Sequence, residues 1–402
     1  MANPVLNVPG VYLQDKVARA TLVLPTGVPA FVGFVTDEAV APEGAPQTDT
    51  SYGPVALYRK SDFTGDAVAW LGQAITGFFD NGGAYCYVIA LRGKAVSGTP
   101  ARKLIDAVNA PRLIDALELL ARLSDVDLIA VPDAVALLAA NQIQTDAVIC
   151  DVQSAMIRHC TQHGNRVALL DPLPGSDAQG LIARQLLPLA LSGPDLMNAA
   201  LYHPWVRTVT SVDQSVPPCG HIAGIIARTD AEVGVFKAPA NVEILGATDL
   251  DADLNPDDLA SLNAAGVNCL RAFPARGIRV WGARTLSTDP AWRYLNVRRL
   301  VLTSLRWIDA NMIWATFEPN VPALWARIQR ELSTYLRSLW SAGALQGATE
   351  SEAFYVQCDA ELNPPEAREA GQVITRIGLA PLTPAEFIVV SVQHRAGTTE
   401  LI

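Results

Sequence analysis

Alternating acidic residues form the most ligand-like stretch of the sequence. Oxygen-bearing side chains stand at every second position from Asp249 to Asp257, and Asp258 follows. This spacing is typical of a calcium-binding loop. However, Leu254 stands where such a loop needs glycine for its turn, and Ala260 stands where a bidentate glutamate should close the site. We therefore interpret the stretch as a solvated acidic loop.

A second candidate ligand group lies near the middle of the chain. His159, Cys160 and His163 fall within about one helical turn, and Cys150 precedes them. Structural zinc prefers paired C-x-x-C or regularly spaced histidine ligands, and neighbouring residues on a helix point to different sides. We interpret these residues as an ordinary helix end, so the sequence predicts no metal site.

A candidate acid–base group follows further along the chain. His221, Asp230 and Glu232 carry side chains that could transfer protons. The sequence lacks the G-x-S-x-G elbow, the G-x-x-x-x-G-K-[ST] loop, the G-x-G-x-x-G turn and the H-E-x-x-H helix. We therefore predict no catalytic residue and no cofactor, and we interpret His221 as a packing or hydrogen-bonding residue near a helix start.

The composition limits the class of protein. The 402 residues are enough for two or three domains. The chain has no uncharged apolar run of about 18 residues and no leader pattern, so we expect neither membrane insertion nor a signal peptide. Six scattered cysteines without a C-x-x-C pair indicate reduced thiols in a cytosolic protein. A formal net charge of −10 argues against binding nucleic acid.

The hydrophobic pattern alternates between helix and strand from about residue 112. Continuous apolar strands between amphipathic helices predict an α/β layer with a mixed, mostly parallel sheet flanked by helices. The expected helices are 112–123, 146–163 and 178–191, and the expected strands are 126–132, 166–171 and 199–208.

The last hundred residues change character. Two long helices, 293–316 and 322–343, are expected before three strands at 353–358, 372–380 and 386–394. This part is therefore a helix pair plus a sheet, and the fold is α+β overall. The first twenty or so residues indicate an extended arm rather than a domain.

Positive charge is concentrated in the helix pair. Residues 277–340 carry nine arginines and four acidic residues. In an acidic protein, such a segment can pair with the acidic part of a neighbouring copy or with another acidic partner. The residues that we expect to form this basic surface are Arg298, Arg299, Arg306, Arg327, Arg330 and Arg337.

The stretch 216–230, VPPCGHIAGIIARTD, is the most informative feature of the sequence. Pro217 and Pro218 fit a helix start, because a first turn leaves its N–H groups unpaired in any case. Gly220 and Gly224, with the alanines between and after them, keep one face of the helix small. A small face lets another backbone approach closely.

This stretch resembles the signature of contractile tail-sheath proteins. Further landmarks follow this stretch in the order that they have in sheath proteins. One more, Pro9-Gly10-Val11-Tyr12, precedes it near the start of the chain. The landmarks that follow are GVNCLR at 266–271, GIRVWGARTL at 277–286, NVRRL at 296–300, FEPN at 317–320, FYVQCD at 354–359, IGLAP at 377–381 and PAEF at 384–387. Residues 36–125 match only loosely.

The resemblance implies a mechanical function. Six copies would form a ring around an inner tube, and stacked rings would contract from a metastable state to drive the tube through a target envelope. The implied partners are further copies, the inner tube protein, and baseplate and terminator proteins. Assembly would take place in the cytoplasm, as part of a phage tail or phage-like particle that can be released. The alternatives are a self-assembling shell protein and a soluble α/β enzyme.

Strands at the two chain ends are the expected contacts between subunits. An extended arm can add as a strand to a sheet in a neighbour. We expect these strands to be formed by Val11, Tyr12, Leu13, Phe387, Ile388, Val389, Val390, Ser391 and Val392.

The hydrophobic pattern and the family resemblance together predict a division of the chain. It consists of an N-terminal arm (1–22), a small peripheral region (23–110), an α/β middle domain (111–276), a C-terminal core domain (277–385) and a C-terminal strand or arm (386–402).

Overall fold

The computed structural model covers a sheet body followed by a helical lobe. The described residues are 24–35, 55–60, 62, 70–92, 95–96, 104–139, 141–189, 191, 193–209, 215–386, 392–395 and 398–401. The expected N-terminal arm, 1–22, lies outside them, and so do residues 387–391 of the expected C-terminal strand.

Helices and strands alternate throughout the sheet body. The bounds are β1 Pro29–Val35, β2 Val55–Arg59, α1 Leu71–Asp80, β3 Tyr85–Arg92, β4 Ala95–Val96, β5 Leu104–Asp106, α2 Ala110–Leu119, β6 Leu128–Ala130, β7 Leu137–Leu138, α3 Gln142–His163, β8 Val167–Leu170, α4 Ala178–Leu181, α5 Gly193–Leu196, β9 Ala199–His203, β10 Val206–Thr208, β11 Ser215–Val216, α6 Cys219–Glu232, β12 Ala247–Leu250, α7 Pro256–Ala264, β13 Asn268–Phe273 and β14 Gly277–Trp281.

Eight of these strands form one sheet in the order β14-β13-β9-β8-β6-β1-β3-β2. The six inner strands pair in parallel, while β14 and β2 pair antiparallel at the two edges. β6, β8 and β9 are buried at every position. Such continuous burial is typical of parallel strands covered by helices on both faces. The predicted α/β fold with a mixed, mostly parallel sheet is confirmed.

The sheet corrects two of the expected domain boundaries. β1 belongs to the segment 23–110, yet it pairs centrally with β6 of the segment 111–276. The boundary after residue 276 falls inside a hairpin, because Phe273 of β13 lies opposite Gly277 of β14. Strand pairing joins residues that are distant in sequence, so composition along the chain does not reveal it.

One predicted strand is divided in two. The expected strand 199–208 becomes β9, which lies in the large sheet, and β10, which pairs with β11 and β12 in a small antiparallel sheet. Pro204 lies between them and has no N–H to donate to a strand ladder.

Helix α6 packs directly against α1 through two glycines. A Cβ atom at Gly220 would lie 2.1 Å from the carbonyl oxygen of Ala74, and one at Gly224 would lie 2.4 Å from that of Phe78. Both distances are far shorter than any van der Waals contact, so the two backbones approach as closely as glycine allows. The predicted role of the small helix face is confirmed.

Replacing Gly220 with alanine is expected to lower the free energy of unfolding by about 2–3 kcal/mol, because the new methyl group would overlap a backbone atom that cannot rotate away. The gain of about 1 kcal/mol in helix propensity does not compensate for this overlap. Urea unfolding measures the change. Gly193→Ala in α5 is the matched control, since a Cβ atom there meets nothing within 4 Å. Equal stabilities for the two variants would contradict the packing argument.

The helical lobe follows the sheet body. It contains α8 Leu295–Asn311, α9 Pro322–Ser341, α10 Glu350–Ala353, β15 Phe354–Gln357, α11 Pro365–Glu369 and β16 Arg376–Leu379, and a hairpin of β17 Val392–Arg395 and β18 Thr398–Leu401 comes last. β15 and β16 form a two-stranded antiparallel sheet. The predicted helix pair plus sheet is confirmed. Gly343 follows the end of α9 with a φ of +81°, which glycine adopts readily. In the described part of the chain, no helix is both long and apolar enough to cross a membrane.

Candidate functional site

Three of the six arginines expected on a basic surface are buried. Arg298, Arg299 and Arg306 have only 7%, 2% and 6% of their surface exposed, and their partners include residues of the sheet body. A surface role is therefore wrong for these three. The net charge of a segment does not show which side of a helix faces the core.

Arg299 lies at the centre of a buried ion network. Its guanidinium donates to both carboxylate oxygens of Asp230 in α6, at 2.8 and 2.6 Å, and to Oδ2 of Asp127 before β6, at 2.8 Å. Asp127 in turn accepts the backbone N–H groups of Gly27 at 3.0 Å and Val28 at 2.7 Å. The network thus joins α8, α6, the start of β6 and the chain just before β1.

The charges in this network offset each other in part. Burial alone would lower the pKa of Arg299, but the carboxylates of Asp230 and Asp127 raise it above its ordinary value. The guanidinium therefore stays charged. One cation faces two carboxylates, and the N–H donors of Gly27 and Val28 stabilise the remaining negative charge.

Arg306 extends the same network by two helical turns. Its Nη2 donates to the carbonyl oxygens of Pro25, at 3.2 Å, and Asp125, at 3.0 Å. Arg298 does not contact this network. Its Nε and Nη2 both donate to Oδ1 of Asn198, at 3.0 and 2.8 Å. Arg299 and Arg306 together hold the segment through which the first described residues enter β1.

A comparable contact holds the chain near its other end. Arg284 donates to both carboxylate oxygens of Glu386, from Nε at 2.8 Å and from Nη2, and its Nη1 donates to the carbonyl oxygen of Asn263 at 2.7 Å. The two charged side chains are only 11% and 19% exposed. The hydrogen bonds that Arg284 donates to Glu386 raise the pKa of Arg284. Glu386 is the last described residue before the gap at 387–391.

The other three arginines lie on or near the exposed face of α9. Arg327 pairs with Glu331 at 3.2 Å and stacks over the ring of Trp314. Arg330 is exposed. Arg337 pairs with Glu350 at 2.5 Å. An intersubunit role for Arg327, Arg330 and Arg337 stays a prediction.

Of the expected arm residues, only Val392 is described. It opens β17 and pairs with Leu401 of β18. Val11, Tyr12 and Leu13 lie outside the described residues, as does the run from Phe387 to Ser391.

The carboxylate of Asp133 lies at the switch point of the sheet, the place where sheets of this topology hold ligands. The chain passes from β1 to β3 on one side and returns to β6 on the other, and ligands of doubly wound sheets bind at such a switch point. Asp133 follows β6 there and accepts the N–H groups of Phe34 at 2.6 Å, Trp70 at 2.7 Å and Leu71 at 3.0 Å. Burial raises its pKa to about 6. The protein's own carboxylate thus occupies the anion position at the start of α1.

The residues of the acid–base candidate do not converge. His221 packs against Gly77 of α1, and burial lowers its pKa to about 4. Asp230 binds Arg299, and Glu232 is exposed.

The two metal candidates have other partners. Asp249 and Asp251 lie 3.7 and 3.8 Å from Arg207, while Asn255 and Asp258 form the capping box of α7. In the zinc candidate, the Cys150 thiol donates to the carbonyl oxygen of Arg184 at 3.7 Å. Within the ranges that the structure covers, no three His, Cys, Asp or Glu side chains are grouped to hold a metal ion.

The sequence carried one usable signal for the buried network. Arg299 and Arg306 share a helical face with Leu295 and Leu302, at spacings of four, three and four residues. All four residues are buried. An arginine within an apolar stripe indicates a buried cation, whereas the partners of such a cation leave no local pattern.

Comparison with known proteins gives consistent matches along the chain. The model of the phage tail sheath protein central domain matches residues 106–286, and that of the phage tail sheath C-terminal domain matches residues 287–395. The tail sheath protein of Escherichia phage P2 is 28% identical over 185 residues, which are 44% of this chain and 45% of the phage protein. The aligned part thus spans less than half the length of the curated relatives.

Solved structures extend the likeness to nearly the whole chain. A chain of the anti-feeding prophage baseplate is 30% identical, with a TM-score of 0.70, and the alignment covers 97% of this chain and 100% of that one. A chain of the anti-feeding prophage helical sheath in its contracted state is 29% identical over the same shares, with a TM-score of 0.72.

Both sheath domains are therefore matched, and a relative of 30% identity is covered over its full length. The landmarks between residues 216 and 387 lie within the matched residues 106–395. The chain belongs to the family of sheath proteins found in phage tails and contractile injection systems.

Proposed function

We propose that this chain is a structural sheath subunit that polymerises as stacked six-fold rings around an inner tube and contracts from a metastable extended state. The observation that carries the proposal is the likeness, over nearly the whole chain, to a helical sheath in its contracted state. The proposed partners are further copies of the chain, the inner tube protein, and baseplate and terminator proteins. Assembly would take place in the cytoplasm, and the particle could then be released.

The sheet of the helical lobe offers a place for strands from neighbouring subunits. Among the described residues, β15 and β16 pair only with each other, so each has an outer edge without a partner strand. An open edge presents a row of N–H and C=O groups that can accept a further strand. The arm strands 11–13 and 387–392 would supply it, and backbone pairing would link subunits through large rotations.

The sheet body supports a mechanical rather than a catalytic role. The carboxylate of Asp133 occupies the anion position at the switch point, and the glycine contact between α1 and α6 makes the body a closely packed unit. Contraction would then consist of rigid bodies moving between two packed arrangements, with the energy stored during assembly. The exposed Arg327, Arg330 and Arg337 would contribute to subunit or tube contacts in one of these arrangements.

Electron microscopy of the purified protein tests this function. We expect short, wide, hollow cylinders from the protein alone and longer, narrower ones when it is co-expressed with the products of neighbouring genes. The reason is that only a tube can hold the extended state during assembly. Monomers under both conditions would contradict the proposal, and closed hollow bodies would favour a shell protein instead.

A further inference from the structure

We propose that Arg284, Arg299 and Arg306 are positioning residues that fix the two points at which the arms join the body. The inference rests on the proposed sheath function. An arm that links two subunits transmits position only if its root is held on its own subunit. The structure holds both roots with arginines whose side chains are largely or fully buried.

The N-terminal root consists of residues 25–28 and is held from α8. Arg306 donates to the carbonyl oxygen of Pro25 at 3.2 Å. Arg299 binds the carboxylate of Asp127. This carboxylate accepts the backbone N–H groups of Gly27 and Val28, which also belong to the root. Donors and acceptors of the root are thus both engaged, so the chain enters β1 in one direction.

The C-terminal root consists of residues 382–386 and is held at both of its ends. The N–H group of Leu382 donates to the carbonyl oxygen of Ala344 at 3.1 Å. The carbonyl oxygen of Leu382 accepts Nδ2 of Asn296, in the first turn of α8, at 3.2 Å. Glu386 is held by the paired donors of Arg284, which lies just after β14. A two-pronged contact between guanidinium and carboxylate fixes orientation as well as distance.

Helix α8 sets the spacing between the roots. Asn296 contacts the C-terminal root, and Arg306 contacts the N-terminal root ten residues later. With a rise of 1.5 Å per residue, these contacts are about 15 Å apart along the helix axis. One rigid helix therefore relates the two arms, and the lattice position of one neighbour would be tied to that of the other.

Glu386→Gln tests the C-terminal clamp, because it removes the charge and keeps the size of the side chain. Hydrogen–deuterium exchange of the 380–386 peptide is expected to quicken about 10- to 100-fold, the range for a lost charge-assisted contact. The concentration needed for assembly, measured by sedimentation and electron microscopy, should rise about 10-fold. The melting temperature of the subunit should not change. Arg284→Lys keeps the positive charge but cannot donate to both carboxylate oxygens in the same way. Its effects on exchange and on assembly should therefore be intermediate.

Asp80→Asn is the matched control, because it removes the exposed ion pair with Lys60, which lies outside both roots. It should change neither the exchange of the 380–386 peptide nor the concentration for assembly. Arg306→Gln provides a second variant, with faster exchange expected at residues 25–28.

The outcomes separate the clamp from the proposed function. If the unchanged protein assembles and Glu386→Gln assembles equally well despite a loosened root, the positioning role is wrong and the sheath function stands. Unaltered exchange in Glu386→Gln would also overturn the clamp. Failure of the unchanged protein to assemble would overturn both.

Discussion

Replacing Arg299 with methionine is expected to lower the free energy of unfolding by about 3–5 kcal/mol. Methionine can fill the space of the arginine stem but leaves Asp127 and Asp230 buried without their cation. Their side chains are 6% and 2% exposed, so water cannot replace the lost contacts. Urea unfolding of the two proteins at neutral pH measures the difference.

The loss in Arg299→Met should depend on pH in a defined direction. Burial raises the pKa of Asp230 above its unfolded value, and without the cation the opposing effect of Arg299 is lost. The folded variant then binds more protons than the unfolded chain, so its deficit is largest above the raised pKa and shrinks as pH falls through it. A deficit that stays constant between pH 8 and pH 5 would contradict the charge argument.

Lys60→Met is the control for this experiment. Lys60 lies 3.1 Å from Asp80, but the two side chains are 69% and 46% exposed. Removing such a surface pair should cost less than about 1 kcal/mol at either pH. A loss as large as that of Arg299→Met would show that the assay does not distinguish buried from exposed pairs.

Deleting residues 1–20 is expected to abolish polymerisation while leaving the body folded. The deleted segment contains Val11, Tyr12 and Leu13, the proposed strand for a neighbour's open edge. The contacts of Arg306 and Arg299 with the N-terminal root begin at Pro25, so the deletion leaves them complete. We expect an unchanged melting temperature and no cylinders in electron micrographs. Normal sheaths from the truncated protein would refute the arm hypothesis.

A pair of full-length variants separates strand pairing from the mere presence of the arm. Prolines at Val11 and Leu13 remove two backbone donors and should prevent assembly as completely as the deletion. Threonines at the same two positions keep both donors and a high preference for strands, so assembly should persist. Assembly by the proline variant would exclude backbone pairing at these positions.

Elements with a strong local period could be predicted from the sequence. The apolar stripe of α9 is buried at Leu324, Trp325, Ile328, Leu332 and Leu336. The continuous apolar runs that become β6 and β8 predict buried strands. The small face of α6 also predicted a close backbone contact, although not that its partner would be α1.

The contacts at the candidate site could not be predicted in this way. Arg299 and Asp127 are separated by 172 positions, and Arg284 and Glu386 by 102. The residues next to Asp127 and Glu386 in the sequence do not distinguish these paired carboxylates from unpaired ones. Counting charge along 277–340 therefore indicated a basic surface, whereas half of its expected members turned inward.

The sequence by itself determined the family, through landmarks spread along the chain. It also determined the alternation of helix and strand and the faces that must be small or apolar, because these patterns depend on residues within one element. Only the tertiary structure decided which arginines are buried, which acids they bind, and that α8 lies between the two arm roots. Burial of a charge is favourable only where partners converge from distant segments, and that convergence exists only in the folded chain.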